Sequence, residues 1–186
     1  MTVAGIILCG GKSSRMGTSK AWLRLHGETL LARTVRILSE VTSPVIVSAA
    51  AGQHLPPLPD QIRIVRDAEP DRGPLGGMSA AMRTLADHDA VFVAPCDCPY
   101  LSASTIRTII DAMTEGSWAA APVLDGVLQP LPAVYRTRFW PLVEVKAAAG
   151  QGPRWLLESL IVREVHGLDP AAFVNVNTPD DYAKLT

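Results

Sequence analysis

Three cations stand close together near the start of the chain: Lys12, Arg15 and Lys20, within Leu8-Cys9-Gly10-Gly11-Lys12-Ser13-Ser14-Arg15-Met16-Gly17-Thr18-Ser19-Lys20. No acidic residue precedes Glu28, although the 186 residues together carry a net charge of only −1. Gly10 and Gly11 let a ligand approach the main chain closely. A glycine-rich, purely cationic loop between a strand and a helix suits a polyphosphate, because amides line the cradle and long side chains neutralise charge. Taken alone, the stretch could also be a solvated basic loop. Two other phosphate motifs are excluded. Gly11-Lys12-Ser13 resembles the end of a P-loop, but that motif needs glycine at position 6, where Ile6 stands, and Gly5 is one position off. The dinucleotide pattern G-x-G-x-x-G is absent.

The elements that must position these residues follow from the apolar pattern. Val3 to Leu8 reads as a buried first strand. His26-Gly27-Glu28 makes a turn, and Thr29 caps a helix carrying Leu30, Leu31, Val35 and Leu38 at helical spacing. Val45 to Val47 reads as a second strand, and Ile62 to Val65 as a third ending at Asp67. Pro56, Pro57 and Pro59 mark a surface connection between them. Gly73 to Gly77 opens a helix with Met78, Met82 and Leu85 on one face. Ala90 to Ala94 is continuously apolar, as expected of a strand buried on both faces. Ser102 caps a helix to Met113 with Ile106, Ile109 and Ile110 inward. Trp118 to Val123 and Leu131 to Tyr135 are further strand candidates. Thr137 to Ala149 and Arg154 to Leu160 read as helices, Val162 to Val165 and Phe173 to Val176 as short strands, and Thr178 caps a last helix. Strands alternating with helices predict an α/β sandwich with a largely parallel sheet. In such sheets ligands bind beyond the carboxyl ends of the strands, where the cationic loop, Asp67 and Asp97 all fall.

The length suits one domain of ~100–200 residues. Hydrophobic residues make up 48% and charged residues 19%, as in a soluble globular protein. No apolar run reaches the ~18–20 residues of a membrane span and no signal peptide is evident, so a cytoplasmic location and no membrane partner are expected. Near-neutral charge gives no reason to expect nucleic acid as a partner. Cys9, Cys96 and Cys98 are an odd count, and Cys96-x-Cys98 lacks the further ligands a structural zinc needs; they read as small buried packers near the site. His26, His54, His88 and His166 show no metal spacing and read as surface or capping residues.

The cationic segment resembles the L-x-G-G-x-S-x-R-M-G-x-x-K signature of nucleotidyltransferases with a glycosyltransferase-A-like fold, and among them is most similar to the molybdenum cofactor guanylyltransferases. Three further stretches carry the resemblance along the chain: Gly73-Pro74-Leu75-Gly76-Gly77-Met78, Pro95-Cys96-Asp97-Cys98-Pro99-Tyr100 and Phe173-Val174-Asn175-Val176-Asn177-Thr178-Pro179. It implies a three-layer α/β/α sandwich, a Rossmann-like nucleotidyltransferase fold spanning 1–186. About 1–100 would bind the nucleotide and about 101–186 the acceptor. It further implies transfer of GMP from GTP to the molybdopterin cofactor with Mg²⁺, with molybdenum-insertion and acceptor molybdoenzyme proteins as further partners.

Residue by residue, the resemblance puts the metal aspartate at Asp97, which ends the most hydrophobic strand. It puts triphosphate contacts at Arg15 and Lys20, and a nucleotide-binding aspartate at Asp67, with Asp71 a nearby rival. The base lies against Leu8, Cys9, Gly10 and Gly11, where two glycines go with guanine and an alanine before the glycine with cytidine. Asn175 and Asn177, two apart on an extended segment, should point the same way and would face the pterin; turn and cap chemistry before Pro179 is the other reading. Gln129-Pro130-Leu131-Pro132 would border that cleft; prolines that break an edge strand are the other reading. The chain departs from the pattern at Cys9, at Ser19 in place of an acidic residue, and at Ser48 in place of a nucleotide-contacting asparagine. The alternatives are a cytidylyltransferase of the same cofactor, a small sugar-phosphate nucleotidyltransferase, or a non-catalytic nucleotide-binding delivery protein.

Overall fold

The apolar run at the start forms strand β1, Val3–Leu8, buried over most of its length. The computed structural model describes residues 1–10, 19–67 and 72–185, so Gly11, Lys12, Arg15, Gly17 and Asp71 lie outside the described residues. After a 3-10 turn at Lys20–Trp22, the two-residue strands β2, Arg24–Leu25, and β3, Glu28–Thr29, form a small ribbon. Its turn places His26 and Gly27 at φ 51° and 82°, a conformation that suits glycine at the second position. Helix α1, Leu30–Ser39, begins at Thr29, whose hydroxyl accepts from the Ala32 N–H. Strands β4, Val45–Ala50, and β5, Arg63–Asp67, follow, then helix α2, Gly73–Arg83, and strand β6, Ala90–Pro95. Helix α3, Ala103–Asp111, is capped by Ser102. The second half runs β7, Ala119–Leu124; β8, Val127–Leu128; β9, Ala133–Arg136; α4, Trp140–Ala148; α5, Pro153–Leu157; β10, Val162–Val165; and α6, Pro179–Ala183.

The described strands build one eight-stranded sheet in the order β10-β7-β9-β6-β1-β4-β5, with β8 paired to β7. The β6-β1-β4-β5 half is entirely parallel, as is β7–β10; β9 runs antiparallel between β6 and β7. Strand alternation sorts the core onto two faces. Ile7, Val47, Phe92 and Val134 pack with Leu31, Val35 and Leu38 of α1 and with Ile106 and Ile109 of α3. Ile6, Ile46, Val91 and Tyr135 pack with Leu75, Met78 and Met82 of α2, with Val143 of α4 and with Leu156 of α5. This is a three-layer α/β/α fold with a mostly parallel sheet. Gly5 keeps the α1 side of β1 open: a Cβ there would stand 2.6 Å from Thr42 Oγ1 and 2.9 Å from Leu38 Cδ2.

Several elements differ from the sequence-based expectations. Phe173 to Val176 is not a strand: Pro170–Phe173 is a 3-10 turn capped by Asp169, and the chain beyond it crosses the end of β6 and meets it through Val176 N–H donating to the Asp97 carbonyl at 3.0 Å. The helix expected from Thr137 opens instead as a 3-10 turn to Phe139, with Pro141 in the first turn of α4. Ile110 is only half-buried.

Candidate active site

The chain enters β1, steps outward to β4 and β5, then crosses back through α2 to β6 on the other side of β1. Helices α1 and α2 lie on opposite faces. The carboxyl ends of β1 and β6 therefore flank the point where the winding reverses, where parallel sheets open a crevice. Leu8 registers with Pro95, and Cys96 N–H donates to the Leu8 carbonyl at 3.1 Å. Topology thus sets Leu8-Cys9-Gly10 beside Cys96-Asp97-Cys98.

Asp97 lies in the turn after β6. Arg33 of α1 supports that turn by donating from Nε to the Pro99 carbonyl at 2.7 Å. From the far side of the crevice, Lys20 donates from Nζ to Asp97 Oδ2 at 2.5 Å and to Asn177 Oδ1 at 2.7 Å. The side chains of Lys20 and Asp97 keep 19% and 15% exposure, so this ion pair is shielded yet reachable. Lys20 opens the 3-10 turn whose Ala21 is buried under α1. Asn177 is fixed from behind by the cap of α6: its N–H and that of Thr178 donate to Asp181 Oδ2 at 3.0 and 2.9 Å, and Asp181 N–H donates to Thr178 Oγ1 at 3.1 Å. Those bonds hold the Asp181 carboxyl below its ordinary range, the Asn177 N–H contributing most.

Asn175 Oδ1 accepts from the Cys98 thiol at 2.9 Å and Asn177 from Lys20, while Val176 between them is buried with Leu25 and Leu30. The three cysteines are free and buried, as read from the sequence. The Cys96 thiol is pushed up by its hydrogen bond to Cys9 and by burial; burial and then the Asp97 charge push up that of Cys98. Both stay protonated, as suits packing rather than nucleophilic chemistry.

Lys20, Asp97 and Asn177 are thus brought together, with Asn175 beside them and Leu8, Cys9 and Gly10 on the neighbouring strand. Asp67 stands apart at the end of β5, where its Oδ2 lies 2.9 Å from the Cβ position of Gly76, so α2 begins against it. Ser48 is buried at 2% exposure, its Oγ 2.7 Å from the Cβ position of Gly77; it packs under α2 instead of facing the crevice. Gln129 to Pro132 is held by Tyr135, whose hydroxyl donates to the Pro130 carbonyl at 2.5 Å. Sequence reasoning passed over Gln53, whose side chain bridges the ends of β1 and β4. It also passed over Glu144 of α4, which accepts from Arg72 at 2.8 Å and from the Ser79 hydroxyl, tying α4 to α2. Only the adjacency of β1 to β4, and of α2 to α4, makes either residue notable.

Residues 5–165 match the family model described as the MobA-like NTP transferase domain. The chain belongs to the MobA-like NTP transferase family. It is therefore a nucleotidyltransferase. A similar relative of Mycobacterium ulcerans, named probable molybdenum cofactor guanylyltransferase, is 34% identical, with 97% of this chain and 92% of the relative covered. Among solved structures, molybdopterin-guanine dinucleotide biosynthesis protein A of Archaeoglobus fulgidus shares the fold with a TM-score of 0.78 at 20% identity, covering 98% of this chain and 96% of that one. Rv0371c of Mycobacterium tuberculosis, solved in complex with manganese, gives 0.73 at 20% identity, covering 100% and 98%.

Proposed function

We propose that this MobA-like nucleotidyltransferase moves GMP from GTP to the terminal phosphate of the molybdopterin cofactor with Mg²⁺. An acceptor phosphate oxygen attacks the α-phosphorus of GTP, the bond to the β-phosphate breaks, and its electron pair leaves with pyrophosphate. The observation that carries the reading is the convergence of Lys20, Asp97 and Asn177 where β1 and β6 part. The name of the M. ulcerans relative supports the choice of substrates.

The donor chemistry suits a divalent ion. Asp97 Oδ2 and Asn177 Oδ1 are hard oxygens that already share one cation, the Lys20 ammonium. No group of three or more His, Cys, Asp or Glu side chains able to hold a metal forms among the described residues. A single carboxylate suffices for this reading, since Mg²⁺ commonly takes one or two carboxylates plus substrate phosphates. Asp97 would hold the ion, which when bound draws charge from the phosphate oxygens. The manganese complex of a fold neighbour is in keeping with a divalent ion. Lys20 neutralises triphosphate charge, together with Arg15 on the sequence-based reading. Leu8, Cys9, Gly10 and Gly11 receive the base, Asp67 assists nucleotide binding from the end of β5, and Asn175 and Asn177 face the acceptor. On this division residues up to about 100 serve the nucleotide and those from about 101 the acceptor.

Calorimetry with GTP and CTP, each with and without Mg²⁺, tests the assignment. GTP should bind more tightly than CTP, and Mg²⁺ should strengthen it. Equal or tighter binding and turnover with CTP would overturn the guanylyl choice while leaving nucleotidyl transfer in place.

A further inference from the structure

Gln53 lies in the loop after β4 and makes a rung that the strands themselves do not. The β1–β4 ladder runs to Leu8 and Ser48, with Cys9 N–H donating to the Ser48 carbonyl at 2.8 Å. Beyond it, Gln53 Nε2 donates to the Cys9 carbonyl at 2.9 Å, and Gln53 Oε1 accepts from Ala50 N–H at 3.1 Å. The amide orientation is dictated by these partners, since the reverse would set oxygen against oxygen and N–H against N–H. Nε2 also reaches Ser19 Oγ at 3.5 Å, so one side chain touches residues on both sides of positions 11–18. Its own backbone is fixed by Arg66, whose guanidinium donates to the Gln53 carbonyl at 2.7 Å and the Ala50 carbonyl at 3.1 Å.

The consequence lies in the Cys9–Gly10 peptide. A trans peptide points its C=O and N–H in opposite directions. With the Cys9 carbonyl held on the β4 side, the Gly10 N–H faces the β6 side, where Asp97 stands. Gly10 itself backs onto Ala50, whose nitrogen lies 3.4 Å from the Cβ position. We propose that Gln53 is a positioning residue for nucleotide binding: it clasps the Cys9 carbonyl to β4 and so aims the Gly10 N–H into the crevice as a donor to an acceptor atom of the nucleotide. A side chain with a donor and an acceptor at one tip is required, which glutamine supplies and glutamate does not.

This rests on the reading of the crevice as the nucleotide site, and the experiment separates the two. Wild type, Gln53→Glu and Gln53→Ala are titrated with GTP and CTP, and kcat, KM and melting temperature are measured. Gln53→Glu keeps the volume and the acceptor toward Ala50 but sets a carboxylate against the Cys9 carbonyl. Both variants should raise Kd and KM for the preferred nucleotide about tenfold, the scale of one well-placed hydrogen bond. The change in kcat should be smaller and the melting temperature little altered. If the wild type prefers CTP, the guanylyl reading falls and CTP serves as the probe for Gln53. Wild-type affinity in both variants overturns the proposal. So does a loss of affinity matched in both by a fall in melting temperature, since that marks a purely structural side chain.

Discussion

The Lys20 ammonium, 2.5 Å from Asp97 and 2.7 Å from Asn177, compensates the carboxylate before any substrate arrives. Asp97→Asn keeps the shape and much of the hydrogen bonding but removes the charge, leaving Lys20 without its counter-ion. Loss of one electrostatic contact of this kind commonly costs on the order of 10²–10³ in rate. Asp97→Asn should fold normally and show at least about that loss in kcat at saturating Mg²⁺. GTP affinity without metal should hold or improve, because a carboxylate no longer repels the triphosphate. Steady-state kinetics with metal-free calorimetry checks both; near-native turnover would move the metal site away from Asp97. The charged members of this cluster were singled out in the sequence because the motifs that carry Lys20 and Asp97 resemble the nucleotidyltransferase signature. The bond from Lys20 to Asn177 was not, since 157 positions separate them and only the passage of the chain over the end of β6 joins them. Gln53 was illegible for a different reason: glutamine after a strand is ordinary until the neighbouring strand is known.

Among the elements, the cap of α6 carries a pH dependence of its own. The Asp181 carboxylate accepts from Asn177 and Thr178, which holds its folded pKa below the ordinary value, while the unfolded chain titrates near ~3.9. A depressed carboxylate contributes stability that is fully present above the unfolded value and is lost as pH falls through the folded one. Asp181→Asn should therefore melt below wild type at neutral pH. The two curves should converge as the medium is acidified below about pH 4, and thermal melts across that range check it. A gap that stays constant would remove the carboxylate from the cap. The helix starts at Thr29, Ser102 and Thr178 were readable because hydroxyl caps act locally. The strand expected at Phe173 to Val176 failed because alternation reports which side chains face inward, not whether a partner strand exists. There Val176 is buried but Val174 is 47% exposed, and the backbone pairs with a turn.

At the scale of the molecule, the two halves of the chain share one sheet. β6 pairs with β1 on one side and β9 on the other, and α2 of the first half packs on α4 of the second through Arg72, Ser79 and Glu144. A chain cut after residue 100 would expose the Ala90–Val93 edge and the buried face of α2 together. Calorimetry of the whole chain should give one cooperative transition, and a fragment of residues 1–100 should not melt cooperatively; two transitions would make the halves separate domains. The order of the longer strands and helices was legible from period and punctuation, whereas the two-residue strands β2, β3 and β8 and the insertion of β9 between β6 and β7 were not, because such pairings are chosen by topology. The placement of the thiols has a practical consequence. Cys9, Cys96 and Cys98 are the only cysteines in the chain, all are buried, and all follow the carboxyl ends of β1 and β6. An alkylating reagent reaches them only when that end of the sheet opens, so the rate of alkylation is a built-in clock for local opening, with no foreign probe attached. If the nucleotide binds across the ends of β1 and β6 as proposed, adding GTP should slow that clock, and alkylation at an unchanged rate would place it elsewhere.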